Sequence, residues 1–493
     1  MTSRALLPLL LAALALTACG RGSDGALVGA FIDSPERMFA EGLPLSPGAA
    51  SLRSATQAGL VAFNAQGEII PALADRWIVT DDGLSFIFRV REGTWPDGSE
   101  ITAESVRAEL LNVLRQLDGT ALALDLAPVE DVRAMAGQVI EIRLSSPIST
   151  LLQLLARPEL TLQRGDGGTG DMLMLRQGNS AILSLKPPAA RGLPEEEDWR
   201  DFVRPIHLHA ASARSAIKWF DEGRIDVVLG GTIGAWPLAD TGPLSRGTVR
   251  IDPAIGLFGL HIRRADGLLA QPTGREALAM AIDRPQLIAP FNIGGWSPTT
   301  RIVPPTLPGD RGLVQERWTE MSIEQRREVA ARRVALWRAA NEGAEARFSV
   351  AMGTSSSTSP GLDLLFRQLA SQLATIGVGL ERVSDVDSAD MVLVDATAGY
   401  AGPTWFLNQF NCALRRGLCN EEVDLLVEQT AGVGNSDARA TLLAEAEARL
   451  ILSNVYIPFG QPLRWSLVRS GVGGYAANQW GFHPLPPMAQ RTR

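Results

Sequence analysis

Residues 84–90 read LSFIFRV, so that Leu84, Phe86, Phe88 and Val90 alternate with Ser85, Ile87 and Arg89. A period of two places the first four side chains on one face, which predicts a strand with one strongly buried side. Turn sequences bracket it, Asp81-Asp82-Gly83 before and Pro96-Asp97-Gly98 after. Thr102 then caps a predicted helix whose buried face is Val106, Leu110, Val113, Leu114 and Leu117, with Glu104 near the positive end of the helix dipole. Helix and strand patterns alternate along the rest of the chain. Residues 212–220 read as a helix stopped by Gly223, and residues 225–229 as a buried strand. Thr273-Gly274-Arg275-Glu276 has the form of a capping box opening a helix through Ile282. A proline-rich loop, IVPPTLPGD at 302–310, separates it from an arginine-rich helix over about 321–341. Asn420 and Ser436 are expected to cap two further helices, the second carrying Leu442, Leu443, Ala446 and Leu450. The pattern is that of a mixed α/β protein with several lobes.

The N-terminus follows a different pattern. Residues 1–18 hold one early positive charge, Arg4, and an apolar core from Leu6 to Leu16, ending Leu16-Thr17-Ala18-Cys19. This is a signal peptide, too short to remain as a spanning helix. The four residues ending at Cys19 resemble the bacterial lipobox, whose cysteine is acylated and becomes the new N-terminus. An ordinary cleaved signal with an incidental cysteine is the other reading. Acyl chains contribute about 0.8 kcal/mol per buried methylene, so two or more give lasting attachment. Residues 19–25 then form a tether, and the protein is expected on the periplasmic side of a bacterial membrane, held by lipid. No later stretch offers the roughly 20 apolar residues of a membrane span.

Composition narrows the partners. A net charge of −8 over 493 residues argues against nucleic acid, which selects clustered basic surface. The length suggests two or three domains. Lys186 and Lys218 are the only lysines. Cys412 and Cys419 are candidates for a short-loop disulfide in an oxidising compartment, with free buried thiols as the alternative. A metal pair there would want further ligands, and no histidine lies within that segment.

Catalytic motifs do not assemble. Ser215-Ala216-Ile217-Lys218 fits S-x-x-K, but no lysine follows residue 218 to complete the Lys-Thr-Gly partner, and the four residues sit in a helical pattern. Neither lysine is followed by Ser or Thr, as a phosphate-cradling P-loop requires. His207 and His209 share a strand face without a visible third ligand, which reads as a half-buried pair. His261 reads as a core or pocket-wall residue. Polar and aromatic residues on loops, with no nucleophile or acid–base pair to organise them, favour a binder over an enzyme, with no cofactor and no metal.

Residues 69–106 carry a resemblance. PALADRW at 71–77, the Asp81-Asp82-Gly83 turn, the strand Phe86 to Gly93, Asp97-Gly98 and Thr102 to Val106 resemble a segment of the extracellular solute-binding proteins, family 5, which serve ABC importers of peptides, nickel complexes and related solutes. GTG at 168–170, DEGRIDVV at 221–228, REALAMAIDR at 275–284 and NEEVDLLVEQT at 420–430 are similar to later family segments and stand in the same order. The resemblance implies a periplasmic-binding-protein-like clamshell of three domains: a discontinuous lobe from 26–51, 165–252 and 458–493, an inserted domain at 52–164, and a second lobe at 253–457. Two segments, near Asp252 and Pro458, would form the hinge. It further implies a monomeric substrate-binding component that captures a solute or peptide between closing lobes and meets ABC permease subunits. A transport-inactive member acting as an extracytoplasmic sensor or assembly partner is the alternative.

One departure bears on the ligand. The family commonly shows Trp-x-x-Asp-Tyr-x-x-Pro, whose aspartate accepts a peptide's amino terminus; here the run is Ala396-Thr397-Ala398-Gly399-Tyr400-Ala401-Gly402-Pro403. A buried ammonium without a counter-charge costs several kcal/mol, so peptides with a free amine are disfavoured. Expected ligand-binding residues are Trp405, Asn408, Tyr400 and His261 on the second lobe, and Trp236, Phe31 and Asp33 on the first.

Overall fold

The computed structural model describes residues 25–239, 247–307, 310–353 and 359–491, apart from residue 166. The signal peptide and Cys19 lie outside the described residues.

Three sheets organise the chain. In the first, the strand Leu27–Ile32 lies in the middle, with Ile206–Ala211 and Val227–Thr232 parallel on either side. The hairpin of Met172–Gln177 and Ser180–Leu185 extends one edge, and Arg464–Val468 followed by Val249–Asp252 extends the other. These seven strands come from three separate stretches of chain.

The second unit is an insertion. The chain leaves after the helix Pro47–Thr56 and returns at Gly170, whose N–H donates to Thr56 O at 3.0 Å. A Cβ on Gly170 would stand 2.4 Å from Gln57 N, so only glycine lets the two stretches run this close. Between them lies an antiparallel four-stranded sheet in the order Ala74–Val79, Ser85–Val90, Val139–Leu144, Val129–Met135. Phe86, Phe88 and Val90 point inward as the alternation predicts, while Leu84 stays half-buried in the preceding turn. The helix Ala103–Gln116 covers this core, with Thr102 and Ser105 in a reciprocal capping box. Val106, Leu110 and Leu117 are buried; Val113 and Leu114 are only partly so.

The third unit holds a five-stranded sheet, in the order Gly379–Val383, Arg347–Ala351, Met391–Thr397, Gly256–Ile262, Tyr456–Gly460. All residues of Gly256–Ile262 are buried, as a strand covered on both faces must be. The helices Pro272–Ala281, Ile323–Ala340 and Pro360–Ala374 belong to this unit. Two caps differ from expectation. The helix Pro272–Ala281 begins one residue before Thr273 and has no side-chain cap; Glu276 instead pairs with Arg317 and Arg333. The last long helix is capped by Asn435, and Ser436 is its first residue.

Cys412 and Cys419 form a disulfide, with Cα atoms 5.2 Å apart. The loop it closes docks on the buried strand: Leu418 N donates to Ile262 O at 2.8 Å. Among the described residues, no helix is long and apolar enough to cross a membrane, and no three or more His, Cys, Asp or Glu side chains group as a metal site.

Candidate functional site

The chain passes between the seven-stranded and five-stranded sheets twice. Asp252 pairs with Arg464 in the first sheet, and Gly256 pairs with Thr397 in the second, where Phe258 pairs with Gly460. The spacers between these positions are Pro253-Ala254-Ile255 and Gln461-Pro462-Leu463. Proline has no N–H to give to a ladder, and both spacers lie outside the strands. Gln461 Oε1 accepts from Gly256 N at 3.1 Å and ties the spacers together.

Side chains add to the crossing. Arg464 Nη1 donates to Asp395 Oδ1 at 2.6 Å and Nη2 donates to Asp395 O at 3.0 Å, joining the two sheets. Trp236 Nε1 donates to Phe291 O at 2.9 Å, and its ring meets Trp465 edge-on at 5.8 Å. Gly234 O accepts from Gly361 N at 2.9 Å and from Ser359 Oγ at 3.0 Å.

The five-stranded lobe also meets the inserted domain. Tyr400 Oη and Asn408 Nδ2 both donate to Asp125 Oδ1, each at 2.8 Å, and Ala401 N donates to Gln153 Oε1 at 2.9 Å. Burial pushes the Asp125 carboxyl up to about 6; the bonds from Asn408 and Tyr400 and the charge of Arg157 only partly offset it. Arg157 is held by Glu159 through two bonds, at 3.1 and 2.8 Å. Its remaining nitrogen, Nη1, lies against Gly399: a Cβ built there would stand 1.2 Å from it. The guanidinium therefore fills the space that any side chain at position 399 would need.

The residues expected at the site divide by location. Tyr400 and Asn408 come together at Asp125, and Trp405 lies beside them, buried and edge-on to Phe406 at 4.9 Å. His261 is buried one layer back; its Nε2 lies 2.8 Å from Leu418 O, and burial pushes its pKa down to about 4, so the ring is neutral. Trp236 sits at the crossing. Phe31 and Asp33 stand at the end of the central strand of the seven-stranded sheet, Phe31 packed under Gly230. Asp33 Oδ1 accepts from Ser34 N at 2.9 Å, while its Oδ2 is buried without a hydrogen-bond partner. Asp395 faces Arg464 and so does not substitute for a carboxylate at Gly399.

Asp125, Arg157 and Gln153 are absent from the expected set. Asp125 carried a usable signal, as a lone acid within ALALDLAP at 121–128, where a buried charge needs a partner. Gln153 carried none, because Ala401 lies 248 residues away in sequence, and Arg157, whose ion-pair partner Glu159 is two residues on, gave no sign of the distant Gly399 it stands against.

Known proteins share this architecture. Residues 68–414 match the model of the bacterial extracellular solute-binding proteins, family 5. The periplasmic oligopeptide-binding protein OppA of Salmonella typhimurium is 22% identical over 472 residues, covering 85% of this chain and 83% of that protein. The crystal structure of Haemophilus influenzae OppA in complex with RPPGFSPFR superposes with a TM-score of 0.80 at 18% identity, over 95% of this chain and 99% of that one. The Escherichia coli murein tripeptide binding protein MppA gives 0.79 at 19% identity, over 95% and 99%.

Proposed function

The chain belongs to the bacterial extracellular solute-binding proteins, family 5, and from that premise we propose that it captures a peptide-like organic solute between the seven-stranded and five-stranded lobes and presents it to the permease subunits of an ABC importer. The paired crossings carry this reading. Short proline-bearing spacers at 253–255 and 461–463 are the covalent links between the lobes, which lets one swing against the other. A solute that touches both lobes only when they are closed shifts the balance toward the closed form. A hundredfold shift needs about 2.7 kcal/mol of added contact.

In this reading Phe31, Asp33 and Trp236 belong to one side and Trp405 to the other, where Tyr400 and Asn408, both bonded to Asp125 of the inserted domain, fix that wall from behind together with His261. Arg157 against Gly399 supports a solute whose nearest group is neutral or anionic, since a guanidinium occupies the place of the family's amine-accepting aspartate. The chain acts as a binder without catalysis, and acylated Cys19 holds it near the permease, which raises effective concentration. Replacing Cys19 by Ala should release the protein from membranes, and a variant that stays bound contradicts the anchor.

The test is a melting-temperature screen of the purified protein against tripeptides with free and acetylated amino termini, opines, glycosides and metal chelates. A ligand of the folded form raises the melting temperature in proportion to its occupancy. The expected hit is a blocked or anionic compound, with the free-amine tripeptide at least about tenfold weaker. Silence across the panel contradicts solute capture, and a preference for the free amine contradicts the role given to Arg157.

A further inference from the structure

A half-open cavity lies away from the crossings, between the seven-stranded lobe and the inserted domain. It is a cavity of about 780 Å³, and every residue lining it lies within 38–192, so the five-stranded lobe contributes nothing to it. That volume falls in the range of small-molecule sites.

The charges around it are sorted by depth. Arg53, Arg91 and Lys186 line the cavity half-buried, whereas its two acids, Glu41 and Glu92, and a fourth cation, Arg176, are exposed at the rim. The three cations are fixed by main-chain carbonyls: Arg53 Nη2 donates to Glu41 O at 2.5 Å, Arg91 donates to Arg191 O at 2.6 Å and to Thr169 O at 3.2 Å, and Lys186 Nζ reaches Gly168 O at 3.5 Å. Among the described residues, none of the three forms a salt bridge with a carboxylate. Asp171 acts on Arg91 and Lys186, and Glu159 and Glu41 act on Arg53, but Glu159 is already paired with Arg157 and Glu41 is exposed, so the three cations outnumber the buried acid beside them. Burial lowers the pKa of all three in spite of those acids, and burial raises the carboxyl of Asp171 in spite of Arg191, Arg91 and Lys186.

A neutral donor completes the set. Thr169 also lines the cavity; the residue is only 6% exposed, and its Oγ1 has no hydrogen-bond partner. A buried hydroxyl left unpaired costs about 1–3 kcal/mol unless something arrives to bond it. Met38, Leu52 and Met172 supply a buried apolar floor.

We infer that this cavity is a second binding site, for a small anion carrying a phosphate or carboxylate group, held by Arg53, Arg91, Lys186 and the Thr169 hydroxyl. The anion contacts Arg91 from the inserted domain together with Arg53 and Lys186 from the lobe, so it pins those two units together. It leaves the boundary with the five-stranded lobe untouched, and the inference does not depend on which solute the lobes capture.

Calorimetric titration of the full purified chain tests it, at constant ionic strength in chloride buffer. The probes are inorganic phosphate, octyl phosphate, and vesicles of phosphatidylglycerol with phosphatidylcholine vesicles as control. Saturable binding of either soluble phosphate assigns the site to free anions; saturable binding of phosphatidylglycerol vesicles alone assigns it to lipid head groups. In either case Lys186→Gln should weaken binding about tenfold or more, and Thr169→Val about fivefold, since bonds to a charged partner are the stronger kind. The two variants differ in charge, and Thr169→Val keeps the side-chain volume, so a folding defect in one leaves the other informative. No saturable binding of any probe, or equal affinity in wild type and both variants, overturns the assignment.

Discussion

Toward the seven-stranded sheet, the five-stranded lobe is joined by two stretches of chain, an ion pair and main-chain hydrogen bonds. Toward the inserted domain it has no covalent link at all, because the chain enters and leaves that domain from the seven-stranded side. What connectivity supplies at one boundary, side chains must supply at the other. They do so with a buried carboxylate: Asp125 accepts from Tyr400 and Asn408, with Gln153 and Arg157 close by. The difference teaches where the protein is sensitive to its surroundings. Main-chain bonds at Gly234 do not titrate, whereas Asp125, with a carboxyl pushed up to about 6, changes charge in the mildly acidic range.

The largest expected effect lies at the crossed boundary. Asp395→Ala leaves Arg464 mostly buried beside an empty partner position, and denaturant unfolding should show a loss of about 3 kcal/mol or more. A loss below about 1 kcal/mol would mean that connectivity alone holds that side.

The uncrossed boundary should show itself through pH. The folded-state pKa of Asp125 lies above its unfolded value, so its contribution to stability is fully present below about pH 4 and is lost as pH rises through about 6. Asp125→Asn keeps an acceptor for Tyr400 and Asn408 and removes the titration. The variant should therefore gain on wild type by up to about 3 kcal/mol between pH 4 and 7. His261, held near 4 by burial, contributes with the opposite sign over the same window. It is common to both proteins, so the difference between their melting curves isolates Asp125. A difference that does not change with pH contradicts the burial argument.

Two smaller effects sharpen the contrast. Tyr400→Phe removes one donor from Asp125 and should cost about 1–2 kcal/mol, and it should move the pH-dependent loss to higher pH, since the carboxylate is then less well solvated. Ser359→Ala should cost less than about 1 kcal/mol, because Gly234 O keeps its bond from Gly361 N.

The sequence made one class of feature readable. Alternation at Phe86, Phe88 and Val90 located a buried strand face, and Thr102 located a helix start, because both are decided by neighbours a few residues away. The family resemblance then carried the architecture, and the matched model and the solved structures bear out that fold class. Features decided at long range stayed hidden. Thr273 and Glu276 have the spacing of a capping box, yet Glu276 is taken by Arg317 and Arg333 from a distant segment, and tertiary charge pairing wins over the local bond. Position 399 is similar. A glycine there was visible as a departure, but that Arg157 fills its place follows only from the inserted domain folding back onto the second lobe.

Small-angle scattering of the purified protein, with and without a compound that raises its melting temperature, tests lobe closure most directly. The empty protein should be a wider, more heterogeneous particle, with a smaller radius of gyration once the compound is saturating. Superimposable profiles at saturation, from a compound shown to bind between the lobes, would contradict it.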